Sequence, residues 1–205
     1  SDWLLENFEA NEQKRLEEYI VTDASDVTAN GKPLPLDLIP SSPRLRKTEK
    51  ELIYHLTEQG YSMEALENQV GRRLRDDFNL LKAKYDVILC DCPPGISTMT
   101  ESVLAASHLV IVPTIPDFMS TLGLDLFTGD VMEGLRDRDV KRLPMVLATR
   151  YDNSPHQQVV LNAMREAAAA QEAEFTMFKT VIPMKSGGAL PVIKDLLAEV
   201  KAALA

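Results

Sequence analysis

The chain has 205 residues, 45% hydrophobic and 26% charged, with 22 basic against 31 acidic side chains and a net charge of −9. This is globular composition, which excludes global disorder, and a surface this acidic excludes a bulk polyanion binder. No apolar run approaches the ~18 residues of a membrane-spanning helix. The first residues lack the basic and apolar segments of a secretory signal, and the C-terminus offers Lys201 alone as a basic anchor, so no membrane association is expected.

The length predicts a single domain over residues 1–205. Residues 2–20 read as an amphipathic helix, with Trp3, Leu4, Phe8, Leu16, Tyr19 and Ile20 among polar neighbours. Asn30-Gly31-Lys32-Pro33 is a turn signal, and Leu36–Ile39 reads as a short strand stopped by Pro40. Residues 44–83 form a helical insert. Its first helix, 44–59, has Gly60 as its C-cap, and its second, 63–83, carries Leu66, Val70, Leu74, Phe78 and Leu81 on one face.

Beyond this insert the pattern changes. Val87–Cys90, Leu109–Val112, Met145–Ala148 and the shorter Thr180–Pro183 are continuous apolar runs, as expected of strands buried on both faces. Helical stretches separate them: 98–107, then 120–136 with Leu122, Leu126, Phe127, Val131 and Leu135, then 155–171 with Ser154 as N-cap and Pro155 at its first position. A last helix, 190–204, has Val192, Leu196, Val200 and Leu204 on one face, and packing on the sheet is expected of it. Alternating strands and helices with short links predict an α/β fold with a mostly parallel, doubly wound sheet flanked by helices.

Two cysteines, Cys90 and Cys92, are too few for a disulfide framework and point to the reducing cytoplasm. No third ligand lies near in sequence, so they are read as small buried hydrophobes rather than a metal site. Between them stands Asp91, followed by Pro93-Pro94-Gly95. Ligands of open α/β sheets bind outside the carboxyl ends of strands. A carboxylate there can hold magnesium, directly or through water, with phosphate oxygens completing the shell. Two prolines and a glycine make a loop able to move as a unit when a γ-phosphate is present. The plainer alternative is an aspartate capping the next helix. Thr98 and Thr100 are expected as first-turn caps of that helix.

Asp91-Cys-Pro-Pro-Gly95, Glu101-Ser-Val-Leu-Ala-Ala-Ser-His108 and Leu109-Val-Ile-Val-Pro-Thr-Ile-Pro116 together resemble the ParA/MinD family of deviant-Walker P-loop ATPases. Ser107-His108 stands where the family usually has Ala-Asp. Leu36–Ser42, Ala148–Asp152 and Thr180–Pro183 resemble further family segments, so the resemblance covers nearly the whole chain. It implies an ATP-dependent dimerisation switch in plasmid or chromosome partitioning. Asp91 would be the catalytic residue and the magnesium ligand, through water. Pro93, Pro94 and Gly95 would form the switch loop, and Arg150, Pro183 and Met184 would bind the nucleotide. At Arg150 the alternative is an ion pair with Asp152 or Glu166. ATP and magnesium are the implied cofactors, and the implied partners are a second copy of the chain and a ParB-like centromere-binding protein. Residues 141–205 hold 8 basic against 6 acidic side chains. Arg165, Lys179, Lys185 and Lys194 there are candidates for a patch facing nonspecific DNA, the alternative being an ordinary solvated face.

The family's phosphate loop, K-G-G-x-G-K-[ST], does not occur in the 205 residues. That loop supplies the backbone cradle and the lysine that grip the β- and γ-phosphates. The 205-residue polypeptide is therefore expected to hydrolyse no ATP and to be part of a longer product, binding little or no cofactor by itself. The alternative function is a non-enzymatic, degenerate ParA-like module that binds a ParB-like partner.

Overall fold

The computed structural model describes residues 2–8, 14–29, 31–93, 95, 97–136, 142–184 and 189–204. It contains two compact units, Ser1–Ala106 and Ser107–Ala205.

The first unit is mainly helical: α1 (Asp2–Phe8), a 3₁₀ turn (Leu16–Tyr19), a small antiparallel hairpin of β1 (Thr28–Ala29) and β2 (Lys32–Pro33), then α2 (Leu45–Glu58), α3 (Met63–Leu81) and α4 (Thr98–Ala106). The Ser62 hydroxyl accepts from the Ala65 amide at 3.1 Å and fixes where α3 begins. Gly60, at φ +89°, follows α2 in the left-handed conformation that glycine adopts without strain. Val70, Leu74 and Leu81 of α3 pack with Leu52 and Leu56 of α2 and with Trp3, Leu4 and Leu16.

A single helix over 2–20 is not formed. Arg15 is extended (φ −98°, ψ 148°), and the Leu16 amide donates at 3.0 Å to the carboxylate of Asp77 on α3. Asp77 is 1% exposed and also accepts from Trp3 Nε1 at 3.0 Å and from Arg15 Nη1 at 3.2 Å. One carboxylate thus ties two segments of the N-terminal region to α3, and a local helix would give up that long-range contact.

The strand expected over Leu36–Ile39 reduces to one antiparallel bridge, Val21 with Leu38. Pro35 and Pro40 remove amide donors on both sides. Asp37 instead accepts from the Tyr85 hydroxyl at 2.6 Å and from the Asp23 amide at 3.0 Å.

The second unit is the α/β part: β3 (Ile111–Thr114), α5 (Phe118–Leu126), a wide π turn (Phe127–Met132), α6 (Glu133–Arg136), β4 (Met145–Tyr151), α7 (Pro155–Ala168), β5 (Thr176–Pro183) and α8 (Ala189–Leu204). The three strands form a parallel sheet in the order β3-β4-β5, with Ile111 opposite Met145 and Tyr151 opposite Pro183. Val146 and Ala148 are fully buried, as parallel strands covered by helices require. The predicted fold class is thereby found: α/β, with a parallel sheet flanked by helices. Ser154 caps α7 and Pro155 opens it, as the sequence indicates. On α5 the buried residue is Leu124, whereas Leu122 and Leu126 are exposed. The π turn that follows breaks the 3.6-residue period on which that expected face depended.

The largest departure is Val87–Cys90, which forms no strand. Val87 is 70% and Leu89 88% exposed. A run of apolar residues becomes a strand only where a neighbour takes up its amides and carbonyls, and no such neighbour is present among the described residues.

Helix α8 packs against β5 through half-buried Val192, Leu196 and Val200. Its Glu199 accepts from the Lys179 and Thr180 amides, at 2.7 and 2.8 Å, and from the Thr180 hydroxyl at 2.5 Å. Burial alone would raise the Glu199 pKa, but the Thr180 hydroxyl, these two amides and the Lys179 charge outweigh it and lower it. A carboxyl held low contributes stability above its unfolded pKa and loses it as pH falls through the folded value. Wild type is therefore expected to be more stable than Glu199→Gln at pH 7, with the gap closing as pH falls below about 4. Urea unfolding of both at several pH values checks this; a gap independent of pH would contradict it.

Candidate functional site

Asp91 lies in the first unit between α3 and α4, on an exposed segment without regular structure. Tyr85, held to Asp37 as described, anchors the start of this segment. The Asp91 carboxylate makes no hydrogen bond or ion pair among the described residues, so it is open to a hydrated cation. Among those residues no three His, Cys, Asp or Glu side chains converge as a metal site. A lone carboxylate fits magnesium only when water and phosphate oxygens fill the remaining positions.

The capping alternative for Asp91 is not what the structure shows. Ser97 Oγ accepts from the Thr100 amide at 3.3 Å, and Glu49 Oε1 on α2 accepts from the Met99 amide at 2.9 Å. The cap of α4 is thus Ser97, and not Thr98 or Thr100 as the sequence reading expects. Cys90 and Cys92 are half-buried free thiols rather than fully buried ones. Burial, then the neighbouring Cys92, pushes the Cys90 pKa up; burial, then the Asp91 charge, does the same for Cys92. Both thiols are therefore held in their neutral, weakly nucleophilic form.

Pro93 and Gly95 are exposed, and Pro94 lies outside the described residues. Gly95 has φ +106°, with open space where a side chain would stand. Gly95→Ala is thus strained through its backbone and not through a clash. A stability loss of about 1–2 kcal/mol is expected in urea unfolding, and an unchanged midpoint would show that the loop relaxes freely.

In the second unit the structure gathers the three residues expected to bind nucleotide. Arg150 and Tyr151 end β4, Pro183 ends β5 opposite Tyr151, and the Met184 amide donates to the Tyr151 carbonyl at 2.9 Å. Arg150, Pro183 and Met184 are all exposed, and Arg150 sits at φ +51°. Arg150 pairs with neither Asp152 nor Glu166 among the described residues. Asp152 accepts from the Ser154 amide at 2.9 Å, a bond that holds its carboxyl below the usual range. Arg165, Lys179 and Lys194 are exposed, and Lys185 lies outside the described residues.

Two buried carboxylates escaped the sequence reading, Asp77 and Glu49. Each stands on an apolar helix face, Asp77 three residues after Leu74 and Glu49 three before Leu52. A charged residue in an otherwise apolar stripe is the signal that would have found them.

A parallel sheet flanked by helices, with candidate residues at the carboxyl ends of its strands, is architecture of the P-loop NTPase type. The AAA domain family model matches residues 4–142, and the chain belongs to that family as a ParA-like member. It is 33% identical, over 132 residues and 60% of its length, to the chromosome partitioning protein ParA of Myxococcus xanthus, covering 41% of that protein. An uncharacterised Mycobacterium tuberculosis protein is also 33% identical, over 62% of this chain and 36% of its own length. The sporulation initiation inhibitor protein Soj of Bacillus subtilis is 28% identical over 47% of this chain and 33% of Soj. The chain thus spans about a third to two fifths of the length of these relatives.

Proposed function

We propose that this chain is part of an ATP-dependent dimerisation switch serving plasmid or chromosome partition in the cytoplasm. The observation that carries the reading is that the family match, residues 4–142, runs through Asp91-Cys92-Pro93-Pro94-Gly95. In this reading Asp91 holds water of a magnesium shell, and the loop to Gly95 answers to the phosphate that shares the ion. Arg150, Pro183 and Met184 face the base. Bound ATP and magnesium would supply the phosphate anhydride and the charge that draws the loop in. The chain's own residues would position both and pass the loop's position to the dimer surface. A second copy and a ParB-like protein are the proposed partners, and Arg165, Lys179 and Lys194 offer charge for nonspecific DNA. No helix among the described residues is long and apolar enough to cross a membrane.

The test is self-association and turnover of the native gene product with ATP and magnesium, against Asp91→Ala. Sedimentation should shift from one copy to two with ATP in wild type only. Neither association nor turnover in wild type, with binding to a ParB-like protein retained, would favour the non-enzymatic interaction module instead.

A further inference from the structure

The segment that begins at Asp91 ends at α4, whose first residue, Thr98, comes seven positions later. What fixes α4 therefore fixes one end of that segment. Along its length α4 packs on α3, with Met99 and Val103 against the apolar core and Gly71 of α3 facing Ser102.

The polar contacts at its start are more specific. Ser97, part of the segment itself, caps the Thr100 amide, and Glu49 reaches from α2 to the Met99 amide. Glu49 is 8% exposed, and its neighbours on the same face, Leu52 and Leu56, are core residues. Burying a carboxylate in such a face is costly unless it is hydrogen-bonded. The bond it makes satisfies an amide that α4 cannot satisfy internally and sets a negative charge at the positive end of the helix dipole. Through it α2 holds the first turn of α4 at a defined point.

We infer that Glu49 is a positioning residue for the site at Asp91: through the Met99 amide it locks the start of α4, the helix that follows Asp91 in the chain, to the helical insert. This rests on the nucleotide-switch reading above. Glu49 touches neither nucleotide nor ion in it and acts through the Met99 amide alone. The Glu49→Gln change retains an acceptor of the same reach. Glu49→Asp keeps the charge but is one methylene too short, and Glu49→Ala keeps neither.

The experiment measures ATP turnover by the native gene product, with amide hydrogen exchange at residues 97–104, for wild type, Glu49→Gln, Glu49→Asp and Glu49→Ala. In the Asp and Ala variants kcat is expected to fall about ten-fold with KM within two-fold, because misplacement by about 1 Å far from the chemistry costs rate before affinity. Exchange at Met99 and Thr100 should rise in the same two variants, and the Gln variant should restore both readouts. Faster exchange with unchanged kcat would reduce Glu49 to a structural cap and overturn the inference while leaving the switch reading intact. Loss in the Gln variant equal to that in the Ala variant would overturn it too. Absence of turnover in wild type would overturn the switch reading and this inference together. Should the Ala variant fail to fold, the contrast between Gln and Asp decides the question by itself.

Discussion

Replacing Asp77 with alanine is expected to destabilise the first unit by about 2–5 kcal/mol, the cost of leaving two buried donors without an acceptor. The carboxylate is 1% exposed and serves three donors from residues more than sixty positions away in sequence. Arg15, 40% exposed, can turn to water when the acceptor is lost. Trp3 Nε1 and the Leu16 amide cannot, and each buried donor left unmade costs about 1–3 kcal/mol. Asp77→Asn retains one acceptor oxygen and should lose less. Trp3 is the single tryptophan of the chain and one of the donors, so its emission during urea unfolding reads this cluster directly. A midpoint for Asp77→Ala equal to wild type would show that the N-terminal segments are held by apolar packing alone.

The second large effect concerns Asp91. In the native gene product Asp91→Ala is expected to reduce magnesium-dependent ATP turnover by about 10–100-fold, the usual consequence of losing an outer-shell partner of a metal site. The side chain is exposed and bonded to nothing among the described residues, so its removal should leave the unfolding free energy in urea within about 0.5 kcal/mol of wild type. Asp86→Asn, an exposed carboxylate just before the same apolar run, is the control and should leave turnover unchanged. Equal turnover in wild type and Asp91→Ala would remove Asp91 from the site and overturn the role proposed for it.

The helices were legible where periodicity and caps agreed. The insert's two helices appear as α2 and α3, and Ser154, Pro155 and Gly60 stand where start and stop signals place them. Met145–Ala148 was legible as a strand because β3 and β5 flank it; the equally apolar Val87–Cys90 has no flanking strand among the described residues, and pairing is a property of two segments that one cannot declare. The break at Arg15 was hidden for a similar reason. Local residues favour a helix, and the competing partner, Asp77, lies 61 positions from Leu16. Of the candidate site, Asp91 and Gly95 were singled out by residue type and order, and the structure adds the exposure of the first and the left-handed φ of the second. The cap was assigned to Thr98 and Thr100 instead of Ser97, because all three are N-cap residue types and only backbone geometry decides among them.

Glu199 has a bearing on how the sheet meets other chains. The outer strand β5 slips its register against β4, with Val146 opposite Met177 but Ala148 opposite Val181, and the two amides that Glu199 holds fall inside that irregularity. Left bare, they would offer an incoming strand its first bonds. Satisfied by a charged side chain, they present no template, and a stranger approaching there meets a bulge and a negative charge. Extension of this sheet is thereby discouraged along β5.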